Sequence, residues 1–169
     1  IPFIARWPGQ IEEGTTTGET ICLNDLLATC ADILNDTLPD TAGEDSYSIL
    51  PVLQGRDYQS PLREATVHHS VNGSFAIRKG SWKLVFCPGS GGWSYPRPEK
   101  AGEMDIPPLQ LYNLEKDIGE TNNVVSEHPE VADQLTDLME QYIKKGRSTP
   151  GEEQQNYGEI EFLPEGYGR

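Results

Sequence analysis

Four short segments between residues 65 and 114 constrain this chain more than any other feature. Ala65-Thr66-Val67-His68-His69-Ser70, Ser74-Phe75-Ala76-Ile77-Arg78, Trp82-Lys83-Leu84-Val85-Phe86 and Leu109-Gln110-Leu111-Tyr112-Asn113-Leu114 are rich in β-branched and aromatic residues, and short connectors join the first three. Strands joined so closely return alongside one another, so the pattern predicts a four-stranded antiparallel sheet with Lys79-Gly80-Ser81 as a tight hairpin connector. Residues 88–108 between the third and fourth strands form a 21-residue loop holding Gly89, Gly91, Gly92, Trp93 and Tyr95. Loops of that length are usually functional or disordered.

A helix is expected from Pro129, whose fixed φ suits the first helical position. Val131, Leu135, Leu138, Met139 and Tyr142 then form one apolar stripe, which should cover one face of the sheet. Upstream, Asn24 can cap a helix running to about Asn35, with Leu26, Leu27, Cys30, Ala31 and Leu34 at helical spacing on a side that packs. A Pro, Gly and Asp rich link over 37–44 follows, then a second short helix over 46–55 with Gly55 as its stop. Ile1-Pro2-Phe3-Ile4-Ala5-Arg6-Trp7 is an almost continuous apolar run closed by Pro8-Gly9, the mark of a buried strand ending in a turn. Such a strand wants a covered, usually parallel, sheet around it, so the segment reads as the last strand of a sheet whose other strands are missing or supplied by another chain. The segment after residue 147 has little periodicity and reads as a tail draped on a surface or poorly ordered.

The 169 residues suit one domain, or one domain and a piece of another. Thirteen Lys and Arg against 27 Asp and Glu leave a net charge of -14, which argues against nucleic acid or an anionic membrane as partner, because phosphate binding needs a basic face. No apolar run approaches the roughly 18 residues that cross a bilayer, so the chain reads as soluble. Cys22, Cys30 and Cys87 show no zinc-type spacing and are read as small buried hydrophobes.

The familiar catalytic groupings are absent: there is no G-x-S-x-G, H-E-x-x-H, phosphate loop or dinucleotide fingerprint. His68-His69 is the one pair suited to proton work, and because successive strand residues point to opposite faces, at most one of the two looks into a given pocket. Arg78, Lys79 and Lys83 are read first as solvated strand charges. Gly89-Ser90-Gly91-Gly92-Trp93 either presents backbone N–H groups and an aromatic face to a sugar-like or anionic group, or is a plain loop. Glu115, Asp117 and Glu120 match no calcium loop, and Asp117-Ile118-Gly119 reads as a turn.

An ordered string of motifs resembles one family. Pro2 to Gly9, then Asn24-Asp25-Leu26-Leu27-Ala28-Thr29, then Gly43-Glu44-Asp45-Ser46 look like segments that follow the central part of a type I sulfatase, of the alkaline phosphatase superfamily. Arg63-Glu64-Ala65, Phe75-Ala76-Ile77-Arg78 with Trp82-Lys83-Leu84, and above all Leu111-Tyr112-Asn113-Leu114-x-x-Asp117-x-x-Glu120-x-x-Asn123 look like its C-terminal subdomain. The resemblance covers roughly residues 1–148. It implies an α/β fold, α+β in this portion: the edge of a large mixed sheet with helices (residues 1–60), then a four-stranded antiparallel sheet packed by a long C-terminal helix (61–148), and an acidic tail (149–169).

The resemblance also implies sulfate-ester hydrolysis, as in an arylsulfatase, with a formylglycine nucleophile and a calcium ion, acting on a sulfate-ester substrate. The family's C/S-x-P-x-R nucleophile motif has no counterpart here, since Cys87-Pro88-Gly89-Ser90 has its Pro one place early and lacks the Arg. Neither an Asp-Asp pair near the start nor an Asp-Asn pair is present for calcium. Calcium and formylglycine are therefore expected upstream of Pro2, and neither a catalytic residue nor a metal ligand is assigned within the chain. His68, His69, Asn72 and Trp93 are the expected contacts to the non-sulfate part of a substrate. Export to the periplasm or the exterior is suspected from the family. The alternatives are a stand-alone module binding a sulfated or acidic saccharide, and a structural piece that pairs its first strand with a second copy of itself.

Overall fold

The computed structural model of the protein describes residues 2–164. They fall into two compact units, one made of residues up to Glu64 together with Lys145–Gln155, the other of Ala65–Lys144 together with 156–164. The first unit is therefore built from two separate stretches of chain.

The second unit is organised by a sheet. Strands β1 (Thr66–His69), β2 (Phe75–Lys79), β3 (Trp82–Val85) and β4 (Gln110–Asn113) pair antiparallel in chain order, as the sequence pattern predicts. Gly80, at the first of the two residues linking β2 to β3, takes φ +58°, which a hairpin this short requires. Register places Val67, Ile77, Leu84 and Leu111 side by side on one face. Ile77, Leu84 and Leu111 are fully buried, each stabilising the unit by about 1.5–3 kcal/mol.

Helix α4 (Pro129–Lys145) completes this core with Ala132, Leu135, Leu138 and Met139, so the apolar stripe covers the sheet face expected of it. The acidic tail contributes too, because Phe162 meets Phe86 edge-on, ring centroids 4.9 Å apart, and Leu163 packs against the same cluster. The architecture is α+β, a four-stranded antiparallel sheet with a long C-terminal helix. A further short helix, α3 (Pro98–Ala101), lies within the long loop; α1 (Asp25–Ile33) and α2 (Leu50–Leu53) belong to the first unit.

The first unit departs from expectation in three ways. Pro2–Trp7 form no strand, since no segment among the described residues offers them a ladder, and Ile4 is 91% exposed. The Pro8-Gly9 turn does form, with Gln10 N and Ile11 N donating to Trp7 O. Second, the buried face of α1 is polar: Asp25 and Thr29 are buried while Leu26, Leu27 and Leu34 are exposed. Third, Asn24 makes no side-chain cap; its amide donates to Asp45 O instead.

The reason is the network that anchors α1. Asp25 pairs with the buried Arg63 and accepts from Cys22 N (2.7 Å) and Tyr47 N (3.0 Å). The Arg63 guanidinium also lies 4.7 Å over the Tyr47 ring. Thr29 Oγ accepts from Ile49 N, and Ser46 Oγ accepts from Ala28 N while donating to Asn24 O. A buried charge must be paired and hydrogen-bonded, and this requirement outweighs the helix's apolar periodicity in deciding which side is covered. The returning stretch is pinned by Arg147, also buried, which donates to Asp40, Thr149 and Glu152 O.

Candidate functional site

The sheet face opposite α4 carries a polar cleft of about 620 Å³, lying wholly within the second unit. Its floor follows from strand register. His68, Ala76, Val85 and Gln110 form one row across the four strands, and Lys83 beside Tyr112 belongs to the next. His69, Ser70 and Ser74 at the end of β1 and the turn after it, parts of the loop after β3 (Cys87, Gly89, Ser90 and Ser94 to Pro96) and the turn at Gly119, Glu120 and Thr121 complete the lining.

Local chemistry fixes each wall. Gly91 sits at φ +61° against the end of β1, and a Cβ there would lie 2.7 Å from Ser70 Oγ and 3.2 Å from Cys87 Sγ, so a side chain has no room. Gln110 Nε2 donates to Cys87 O (2.7 Å) and Gly89 O (2.6 Å), tying the loop to β4, while its Oε1 accepts from Tyr112 OH (2.7 Å). On the other side, the Asp117 carboxylate accepts from Asn122 N, Thr121 N and Thr121 Oγ, which closes the turn and lowers its pKa. The turn reading of Asp117-Ile118-Gly119 is thus what the structure displays.

Glu120 leaves that turn at φ +54°, a left-handed conformation uncommon outside glycine, and aims its carboxylate at Lys83. Asn123 then closes the motif. Its Oδ1 accepts from Leu111 N and Val125 N, and its Nδ2 donates to Leu109 O, so one amide side chain serves the free edge of β4 as a neighbouring strand would. The spaced Tyr112, Asp117, Glu120 and Asn123 therefore build a cleft wall and a strand edge.

Ionisation states follow from burial and neighbours. Partial burial, then the Lys83 ammonium, push the His68 pKa below the ordinary 6.5. Burial raises the Cys87 thiol, and burial followed by the Glu120 and Asp117 charges raises the Tyr112 phenol, so both are uncharged at neutral pH.

Of the residues expected at a site, His68 and His69 both line the cleft, against the expectation that at most one of the pair would, because His69 is the last residue of β1 and the cleft extends past the strand end to Ser70 and Ser74. The His69 ring packs edge-on to Phe75, with Nδ1 3.0 Å from Ser70 O. Asn72 is not among the lining residues; its Oδ1 accepts from Ser70 Oγ and Ser74 N and shapes the β1–β2 turn. Trp93 is 81% exposed and also outside the lining, whereas Tyr95, two residues on, belongs to it. The Lys83–Glu120 pair leaves no local signal in the sequence, because 37 residues separate its members in the chain. Tyr112 had a usable signal, since it stands opposite Lys83 once the strands are aligned. Among the described residues no group of three or more His, Cys, Asp or Glu side chains gathers as a metal site. The calcium implied by the resemblance finds no ligand set among the described residues.

No family model matches the chain. It is 36% identical over 140 residues to an N-acetylgalactosamine-6-O-sulfatase of Bacteroides thetaiotaomicron, covering 83% of this chain and 26% of that protein. Arylsulfatase A of Bos taurus is 30% identical over 149 residues, covering 83% of this chain and 29% of its own. A solved structure from Bacteroides thetaiotaomicron, described under the metabolism of multiple glycosaminoglycans, shares 37% identity with a TM-score of 0.54, covering 69% of this chain and 24% of that one. The chain thus spans about a quarter of the length of the curated relatives it matches over most of its own. In sequence over most of its length and in the fold of its sheet and long helix, this chain is similar to the sulfatases, of which it matches a portion.

Proposed function

We propose that this chain forms one wall of the substrate cleft of a sulfatase that hydrolyses sulfate esters of a saccharide, and that it supplies no bond-breaking group of its own. The observation that carries this reading is the cleft on the open sheet face, lined by His68, Lys83, Glu120 and Tyr95, in a chain akin to an N-acetylgalactosamine-6-O-sulfatase. Cleaving a sulfate ester needs an activated oxygen nucleophile, positive charge on the sulfate oxygens and an acid for the leaving group. The sequence has no C/S-x-P-x-R motif, and the lining thiol, Cys87, is held protonated by burial. The formylglycine and calcium of the family then belong to another part of the intact enzyme. His68 and His69, which line the cleft, are assigned to substrate contact, whereas Asn72 and Trp93 lie outside its lining.

The test is sulfate release from N-acetylgalactosamine 6-sulfate and from 4-nitrophenyl sulfate by the 169-residue chain. None is expected above a heat-killed control; sustained turnover ends the reading. A second reading, a module that binds saccharide by itself, is favoured by one fact: every lining residue comes from the second unit.

A further inference from the structure

The end of the chain is fastened under the cleft. After α4 the tail of the second unit is pinned at Asn156, whose Nδ2 donates to Ile143 O, and again at Phe162 and Leu163, which pack on the core cluster. The five residues between, 157–161, are all exposed. The tail is thus a strap held at two ends with solvent along its span. An exposed span and partly buried anchors place it at the low-stability end of the unit, whereas Ile77, Leu84 and Leu111 are fully buried.

Its far fastening lies beneath the cleft wall. Side chains alternate as the chain leaves β3: Val85 and Cys87 line the cleft, and Phe86 between them is buried in the core on the other face. Phe162 meets the Phe86 ring edge-on, and among the described residues no other ring pairs with it. Phe86 also makes the last ladder bond before the long loop, its N donating to Phe75 O (2.9 Å).

The loop above is tied to itself. Ser90 N donates to Pro96 O (3.0 Å), Ser90 Oγ donates to Ser94 O (2.8 Å), and a Cβ at Gly89 would meet Ala101 Cβ at 2.8 Å. A segment closed in this way shifts as one piece, so its place is decided where it joins the rest of the unit. Those joints are Gln110 Nε2 on Cys87 O and Gly89 O, the rim contact of Asn72 N with Gly91 O (3.4 Å), and Phe86 with Phe162 below it.

We propose that Phe162 is a positioning residue for the cleft: by packing under Phe86, the strap sets where the loop wall from Cys87 to Pro96 stands over the sheet, and its release loosens that wall while the strands of the floor stay paired. This goes beyond the substrate-wall reading, because it concerns what holds the wall in place whatever the cleft receives.

Cys87, buried at the base of the wall, reports the outcome. The 169-residue chain and its Phe162→Ala variant are labelled with a maleimide and the sites resolved by peptide mapping, with Cys30, exposed in the first unit, as the internal reference. Phe162→Ala should speed Cys87 labelling about tenfold, with Cys30 within about twofold and amide exchange at Ile77 and Leu84 unchanged. Burial is what raises the Cys87 pKa, so labelling followed against pH should show that pKa falling toward the ordinary thiol value in the variant. Phe162→Leu, which keeps an apolar side chain under Phe86, should restore most of the protection. Unchanged Cys87 labelling in Phe162→Ala would overturn the proposal, as would labelling that rises only in step with exchange at Ile77 and Leu84, the mark of the whole unit opening. If Phe162→Ala does not fold, the unaltered chain in mild urea decides: the packed Phe162 ring signals and the protection of Cys87 should be lost together, ahead of the Leu84 methyl signals, and a Cys87 that turns reactive while Phe162 stays packed overturns the proposal.

Discussion

Lys83 Nζ stands 2.7 Å from both carboxylate oxygens of Glu120, and the residue that supplies those oxygens is held at φ +54°. An L residue is placed there at a steric cost, and the ion pair is what the surrounding turn gains in return.

The first prediction reads this pair through His68. Burial and then Lys83 depress its pKa, while Glu120 opposes them. Lys83→Met should raise the His68 pKa and Glu120→Gln should lower it further, measured from imidazole proton shifts against pH. Shifts of the same sign in both variants would contradict the geometry. For stability the sign is that of a histidine depressed in the fold: the unfolded chain takes up the proton first, so this contribution is intact above pH 6.5 and is lost as pH falls below it.

Asn123 should matter more than an exposed amide would. Asn123→Ala strips partners from Leu111 N, Val125 N and Leu109 O, and a cost of about 2–4 kcal/mol is expected from two or more polar groups left unpaired. Hydrogen exchange at Leu111 N should accelerate in step with the fall in denaturation midpoint. Asn123→Asp keeps the acceptor and loses the donor, so its effect should be smaller.

In the first unit, Asp25→Ala leaves Arg63 buried without its partner, which should cost about 3–5 kcal/mol. The double variant Asp25→Leu with Arg63→Met removes both charges and should be less damaging than the single change. Urea denaturation of the set gives the coupling; simple additivity would mean the two residues act independently.

Glu19 gives a pH-dependent anchor. Burial would raise its pKa, but hydrogen bonds from Leu62 N, Tyr58 OH, Ser60 Oγ and Thr20 N outweigh it and hold the carboxyl below 4.5. The stabilisation is therefore present above pH 4.5 and disappears as pH drops through the depressed value. Glu19→Gln should flatten the acid limb of the melting temperature against pH, and the protection of the Leu62 amide relative to its intrinsic exchange rate should stop depending on pH in that window.

How far the fold could be read differs between the two units for a physical reason. In the second, one period dominates each element: alternation sends Ile77, Leu84 and Leu111 to one face, and the stripe on α4 is cut to meet them. Pattern alone suffices there. In the first, α1 has a helical apolar pattern, yet its position is set by Asp25 and Thr29, whose partners Arg63 and Ile49 lie 38 and 20 residues downstream. Hydrogen-bond partners at that separation leave no periodic trace. The cleft was half legible for the same cause, since His68 follows from strand parity whereas Tyr95 and the Lys83–Glu120 pair depend on how two loops fold back.

The chain leaves the first unit after Glu64, returns for Lys145–Gln155 and departs again, and the returning piece is buckled to Asp40, Glu44 and Tyr47 through Arg147, Thr149 and Ser148. A single recombination junction anywhere between residues 65 and 144 would give each daughter gene half of that buckle. The two units can consequently be inherited, transplanted or engineered only as a block, and a designer who wants the cleft alone must also graft a bridge from the end of α4 to residue 156.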